Sequence, residues 1–249
     1  MNLPKLLIFT DSARMKPDFD SALLEACLGG AKWFCVREKT APPREQLELF
    51  ARASKIAEKF GAQTFSHGRA DLARAAHADG LHLPEGEISP ALTRLTLGFH
   101  LPIGVSVHSF EGARRAEAEG ASYIVFGPIF ETKSHPNQPA VGLEMLSKVV
   151  ASVAIPVFAV GGICAQNAAS CLNAGASGVA VISSVWEASN IAQSVRDLRA
   201  VLGEKETPHS HHIEANHGEL APAEVEEAGL KTGLAALLEF PKPDISSHP

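Results

Sequence analysis

No run of apolar residues in this 249-residue chain is long enough to cross a bilayer, which excludes a helical membrane span. Cysteine is scarce. Cys27, Cys35, Cys164 and Cys171 stand at none of the spacings that hold a structural metal, and a chain of this size has no need of disulfides. We read them as reduced, and the expected compartment is the cytoplasm. The opening MNLPKLLIFTDSARMKP has too short an apolar core for a signal peptide and runs straight into Asp11. Basic residues are outnumbered, 22 against 28 acidic ones, and form no stripe, which argues against a nucleic-acid partner. The imbalance is local. From Glu204 onward there are nine acidic side chains and three lysines, which leaves nineteen of each sign in residues 1–203.

What the chain does contain is alternation. Residues 156–184, PVFAVGGICAQNAASCLNAGASGVAVISS, place two short apolar runs around an alanine-rich segment of helical length. Continuous apolar runs of this kind suit parallel strands covered on both faces by helices. The same pattern recurs at 6–11, 33–39, 62–68, 80–85, 102–109 and 123–130, each followed by a helix-like segment. Pro42 and Pro43, and Ser89 before Pro90, stand where helices start. Eight strand–helix units predict a closed (β/α)8 TIM barrel over residues 1–203. Residues 204–249 then form a His- and Glu-rich, largely disordered acidic tail. Within it Val225, Leu230, Leu234, Leu237 and Leu238 fit a short amphipathic helix near 222–240. That helix reads either as a loose appendage or as a docking element for a second subunit, so a homo-oligomer stays open.

Active sites of such barrels lie at the C-terminal strand ends. The polar residues there are Asp11, Arg37, Glu38, Lys39, Ser66, His67, Arg69, His82, Glu87, Ser106, His108, Thr132, Lys133, Ser134 and His135. Arg37 and Lys39, two apart on one strand, are expected to share a face, which implies an anionic ligand. Gly161-Gly162 and Ile182-Ser183 end the last two strands. They either pack their turns or offer bare N–H groups to a phosphate, and the barrel reading favours the phosphate. His77 and His100 fall at helical or helix-end positions and are read as surface residues.

Several of these stretches act together as a fingerprint. T-D, REK, GRADLA, ADGLHL, GVSVHS, FGPIFET and AVGGI…AGASGVAVIS resemble the thiamine phosphate synthase and TenI-type thiazole tautomerase superfamily, over roughly residues 5–200. The resemblance implies a thiazole-phosphate substrate with its phosphate on Gly161, Gly162, Ile182 and Ser183. Substrate contacts are expected from the strand-end residues Arg37, Lys39, Arg69, Ser106, Thr132, Lys133 and Ser134.

Departures from the synthase pattern then matter. The Asn-Asp expected before Arg69 is His67-Gly68, the second metal aspartate is Glu87, the pyrophosphate lysine aligns with His135, and an expected glutamine is Cys35. Our leading expectation from sequence is therefore a metal-independent, TenI-like tautomerase of thiamine biosynthesis, with no cofactor. Its proton transfers would fall to Glu38 as base and to His67, His108 or His135 as donor. Pro128, where the tautomerase branch carries a histidine, counts against it. The alternative is a divergent Mg2+-dependent synthase with Glu87 on the metal. A third reading is a non-catalytic thiazole-phosphate-binding regulatory protein that uses its tail.

Overall fold

The computed structural model describes residues 3–98, 100–132 and 139–204. Eight strands pair in chain order, all parallel, and the last closes on the first. They are β1 (Leu6–Phe9), β2 (Trp33–Val36), β3 (Gln63–His67), β4 (Gly80–Leu83), β5 (Ile103–Val107), β6 (Tyr123–Phe126), β7 (Val157–Val160) and β8 (Gly178–Val181). The first six helices are α1 (Phe19–Leu28), α2 (Pro43–Lys59), α3 (Ala70–Ala75), α4 (Pro90–Leu97), α5 (Phe110–Ala118) and α6 (Gly142–Ser152). They are followed by α7 (Ala168–Asn173), the four-residue α8 (Ser183–Trp186) and α9 (Ile191–Val201). The expected TIM barrel is observed. Apart from Glu204, the tail and its amphipathic helix lie outside the described residues.

The strands read as unbroken apolar runs because both faces are covered. Leu6 and Ile8 face the helices, while Leu7 and Phe9 fill the barrel. The interior is built on Trp33, Phe65, Tyr123 and Phe158, whose rings meet edge-on or tilted at 5.0–6.2 Å. Eight inward-facing positions cannot all hold such side chains, so small residues alternate with large ones. A β-carbon on Gly80 would strike the Phe65 ring, and one on Gly104 would strike Tyr123. Glycine is required at both positions for close approach rather than for backbone freedom.

Helix starts follow the expected chemistry. Ser89 caps α4 by accepting from the Leu92 amide at 3.2 Å, with Pro90 in the first turn. Pro42 and Pro43 open α2. The first and last elements are stitched together at the N-terminal end of the barrel. There Glu204 accepts from the Lys5 amide at 2.6 Å and from Arg199 at 3.0 Å.

Candidate active site

A cavity of about 680 Å³ opens at the C-terminal ends of the strands. On one side it is bounded by the loops after β7 and β8. Gly161 and Gly162 adopt φ of 98° and 65°, a region that side chains disfavour. Both are also demanded by packing, since a β-carbon on Gly161 would meet Pro128 and one on Gly162 the Glu131 carbonyl. The loop after β6 braces this turn, with Ile129 N–H donating to Val160 O at 2.8 Å and Phe130 N–H to Gly161 O at 3.0 Å. Among the described residues, the amides of Gly162, Ile163, Ser183 and Ser184 donate to no protein acceptor. Three of these residues, Gly162, Ile163 and Ser183, line the cavity, and unspent N–H groups there make an anion cradle.

Asn167 shapes that cradle, although the sequence pattern does not single it out. Its Oδ1 accepts from Cys164 N–H at 2.9 Å, and its Nδ2 donates to Gly162 O at 2.9 Å. The carbonyl is drawn away and the turn is fixed. An Asn five residues past a Gly-Gly that follows a strand is the available signal. Ser183, expected as a strand end, instead opens the short helix α8, which likewise leaves its amide unspent.

A second polar region follows β2. The strand ends at Val36, so Arg37, Glu38 and Lys39 sit on the rim, and strict alternation no longer governs them. Arg37 is half-buried, and its amide donates to Thr10 Oγ1 at 2.9 Å. Its guanidinium makes no hydrogen bond among the described residues. Burial lowers its pKa, opposed first by the nearby Asp11. Lys39 is more exposed, and its pKa falls through burial and then through Arg37. Two cations, neither of them with a side-chain hydrogen bond among the described residues, line the same cavity.

Glu38 also borders the cavity, but both of its oxygens are occupied. Oε1 accepts from Thr10 Oγ1 at 2.8 Å, while Oε2 accepts from Ser12 Oγ at 2.6 Å and from Ser12 N–H at 3.2 Å. It fastens the loop after β1 to the rim after β2. Arg69 is similarly engaged, in a two-pronged pair with Asp71 at 2.8 and 2.6 Å.

His67 lines the cavity, with His82 buried beneath it. His67 and His82 lie nearly parallel with centroids 5.8 Å apart, and Phe9 presents an edge to each. Burial, then Arg37 and Lys39, pushes His67 down to about 3. Burial, then His67 and Arg37, pushes His82 well below its ordinary value. Both rings are neutral at neutral pH. His108 differs from them. Its Nδ1 lies 2.7 Å from Gly127 O, and a carbonyl only accepts, so Nδ1 carries a proton and the neutral ring has its lone pair on Nε2. Glu85 fixes the backbone there by accepting from His108 N–H at 3.0 Å.

Ser106 and Thr132 line the cavity; Lys133, Ser134 and His135 lie outside the described residues. His77 and His100 are exposed or nearly so, as expected.

Among the described residues, no group of three His, Cys, Asp or Glu side chains could hold a metal ion. Glu87 is the acidic side chain of interest. Its Oε2 lies 3.8 Å from where a β-carbon on Gly68 would be. Magnesium carried by a substrate's phosphates needs only one or two protein carboxylates. Glu87 fits that smaller role.

A family model described as thiamine monophosphate synthase matches residues 6–185. The chain belongs to this family. It is 38% identical over 203 residues to the thiamine-phosphate synthase of Pyrococcus furiosus, covering 82% of this chain and 97% of that protein. It is 40% identical over 184 residues to a putative thiamine-phosphate synthase of Geobacter sulfurreducens, covering 73% and 86%. A solved thiamine phosphate pyrophosphorylase from P. furiosus superposes with a TM-score of 0.73 at 38% identity, over 80% of this chain and 96% of that one. This thiamine monophosphate synthase family member is therefore an enzyme. The superfamily read from the motifs is borne out, while the preference for its tautomerase branch finds no specific support in these relatives. No described helix is long and apolar enough to cross a membrane.

Proposed function

We propose that this family member is a thiamine-phosphate synthase, joining a pyrimidine pyrophosphate to a thiazole phosphate with release of pyrophosphate. The observation that carries this reading is one cavity with two separate anion-directed regions. The unspent amides after β7 and β8 suit a phosphate monoester, and Arg37 with Lys39 suits a second, more highly charged group. A reaction between two phosphorylated partners needs both. As the bond from the pyrimidine methylene to pyrophosphate breaks, the electron pair leaves on oxygen, and the two cations stabilise that growing charge. Magnesium, when bound with the pyrophosphate, would add further neutralisation, with Glu87 as its protein ligand.

The tautomerase reading stands second, favoured by one observation. Gly68 contributes no carboxylate, and His108 lines the cavity with the Nδ1–H tautomer, whose neutral ring offers Nε2 as a base without any metal. The deciding experiment is turnover of both candidate reactions by the full chain, with magnesium and with a chelator. Thiamine phosphate formed only with magnesium supports the synthase. Ring aromatisation that survives chelation, without coupling, replaces it with the tautomerase. The binding-protein reading depends on the tail, which lies outside the described residues.

A further inference from the structure

Below the cavity runs a short buried chain of polar groups: Tyr123, His82 and Ser106. Tyr123 and His82 are wholly buried, and Ser106 lies on the cavity wall. The Tyr123 hydroxyl is 3.2 Å from His82 Nδ1, and His82 Nε2 is 2.8 Å from Ser106 Oγ. The residues come from β6, β4 and β5. His82 pairs with Gly104, and Gly104 with Tyr123, so the strand between them carries no side chain at that level. The absent Gly104 side chain is what lets the phenol reach across β5 to the imidazole.

The chain has a direction. A phenol O–H has one proton to place, and a buried donor left without an acceptor is costly. The rings of Trp33, Phe65 and Phe158 surround Tyr123, and among the described residues His82 Nδ1 is its hydrogen-bonding partner. The phenol is held protonated and the imidazole neutral by burial. If Nδ1 carried the ring proton, two donors would face each other and the phenol proton would be stranded. Tyr123 therefore donates to Nδ1, and the single ring proton sits on Nε2. From there it donates to Ser106 Oγ.

We propose that Tyr123 fixes the tautomer of His82 so that Ser106 presents its hydroxyl proton to the cavity. The wall at Ser106 then binds a hydrogen-bond acceptor of the substrate, a phosphate oxygen or a ring nitrogen bearing a lone pair. His82 is a positioning residue and does not draw the proton from Ser106, because the nitrogen facing the serine is already protonated. Ser106 accordingly acts as a donor and not as a nucleophile.

The position of the proton is readable in the resting full-length protein by correlation of ring nitrogens with carbon-bound ring protons, after 15N-histidine labelling. The His82 signals are those displaced by Tyr123→Phe. If that variant does not fold, Ser106→Ala identifies them from the other end of the chain. The expected result is a proton on Nε2 and a hydrogen-bonded, unprotonated Nδ1 that moves toward the free-imine position in Tyr123→Phe. A proton on Nδ1, or on both nitrogens, overturns the proposal. The catalytic consequence rests on the transferase reading and is tested separately by a double-variant cycle on kcat/KM. Tyr123→Phe is expected to lower kcat/KM about tenfold, the worth of one hydrogen bond, and to have almost no effect once Ser106 is alanine. Equal losses in both backgrounds would overturn the coupling. If there is no turnover at all, the nitrogen spectrum still decides the tautomer, and only the transferase reading is weakened.

Discussion

Glu87 Oε2 stands 3.8 Å from the point where a β-carbon on Gly68 would lie. The carboxylate of one loop thus approaches the space that a side chain at position 68 would fill, and it does so with one methylene more than aspartate. Gly68 itself has φ of 71°, so its lack of a side chain also relieves the backbone. Glu38 and Glu85 also line the cavity but are already hydrogen-bonded, so on the synthase reading Glu87 is the carboxylate left for magnesium, which would arrive largely through the substrate's oxygens. We predict that Glu87→Gln raises the magnesium concentration for half-maximal coupling about 10–100-fold. An unchanged magnesium titration would remove Glu87 from the metal.

Arg37 is the cation expected to matter most. It is half-buried and lines the cavity, and its guanidinium makes no hydrogen bond among the described residues. Such an arrangement is costly until an anion arrives. Arg37→Ala should raise KM for the pyrophosphate-bearing substrate about 10–100-fold, in keeping with a charge-assisted hydrogen bond. Arg37→Lys should recover only part of the loss, because an ammonium cannot make the two-pronged contact. Equal KM values in all three proteins would refute an anion site here.

For Glu38 the hydrogen bonds argue against the role of base. Three donors from Thr10 and Ser12 already occupy its oxygens. Replacement by glutamine keeps the shape but puts an N–H where one of those donors points. Thermal denaturation of Glu38→Gln should reveal a loss of about 1–3 kcal/mol, with the pH dependence of kcat unaltered. A lost acidic limb in the pH–rate curve at unchanged stability would restore Glu38 as the base.

The barrel is legible in the sequence because parallel strands buried on both faces leave one kind of trace, a short continuous apolar run. Runs such as LLIF, WFCV and VFAV coincide with strands β1, β2 and β7. Their ends are less legible. The apolar pattern carries β2 to Lys39 and β6 to Phe130, whereas pairing stops at Val36 and Phe126. Beyond those points the chain runs along the rim, where no neighbour enforces alternation. For that reason the pattern cannot reveal that Glu38 turns to Thr10 and Ser12. The helix Ser183–Trp186 leaves no trace, being four residues long with no side-chain cap. The Tyr123–His82 contact needs the register of three strands and the gap at Gly104, neither of which a single sequence supplies.

Acid stability offers a test of the imidazole pair. His67 titrates near 6.5 in an unfolded chain but is held at about 3 in the folded protein, by burial first and by Arg37 and Lys39 next. Between those two values the unfolded chain binds a proton that the folded one refuses. Stability is therefore full above about pH 6.5 and falls as the pH drops toward 3. His82 shifts in the same direction and adds to the slope. Each refused proton contributes about 1.4 kcal/mol per pH unit within the window. Urea unfolding of the wild-type chain should show a lower midpoint at pH 5 than at pH 7.5, and His67→Asn should narrow that difference. Because burial outranks the cations as the cause, Arg37→Ala should narrow it less than His67→Asn does. A His67→Asn protein with the wild-type slope would mean that this ring takes up its proton without unfolding, and His67 would then be available as a cationic donor to substrate.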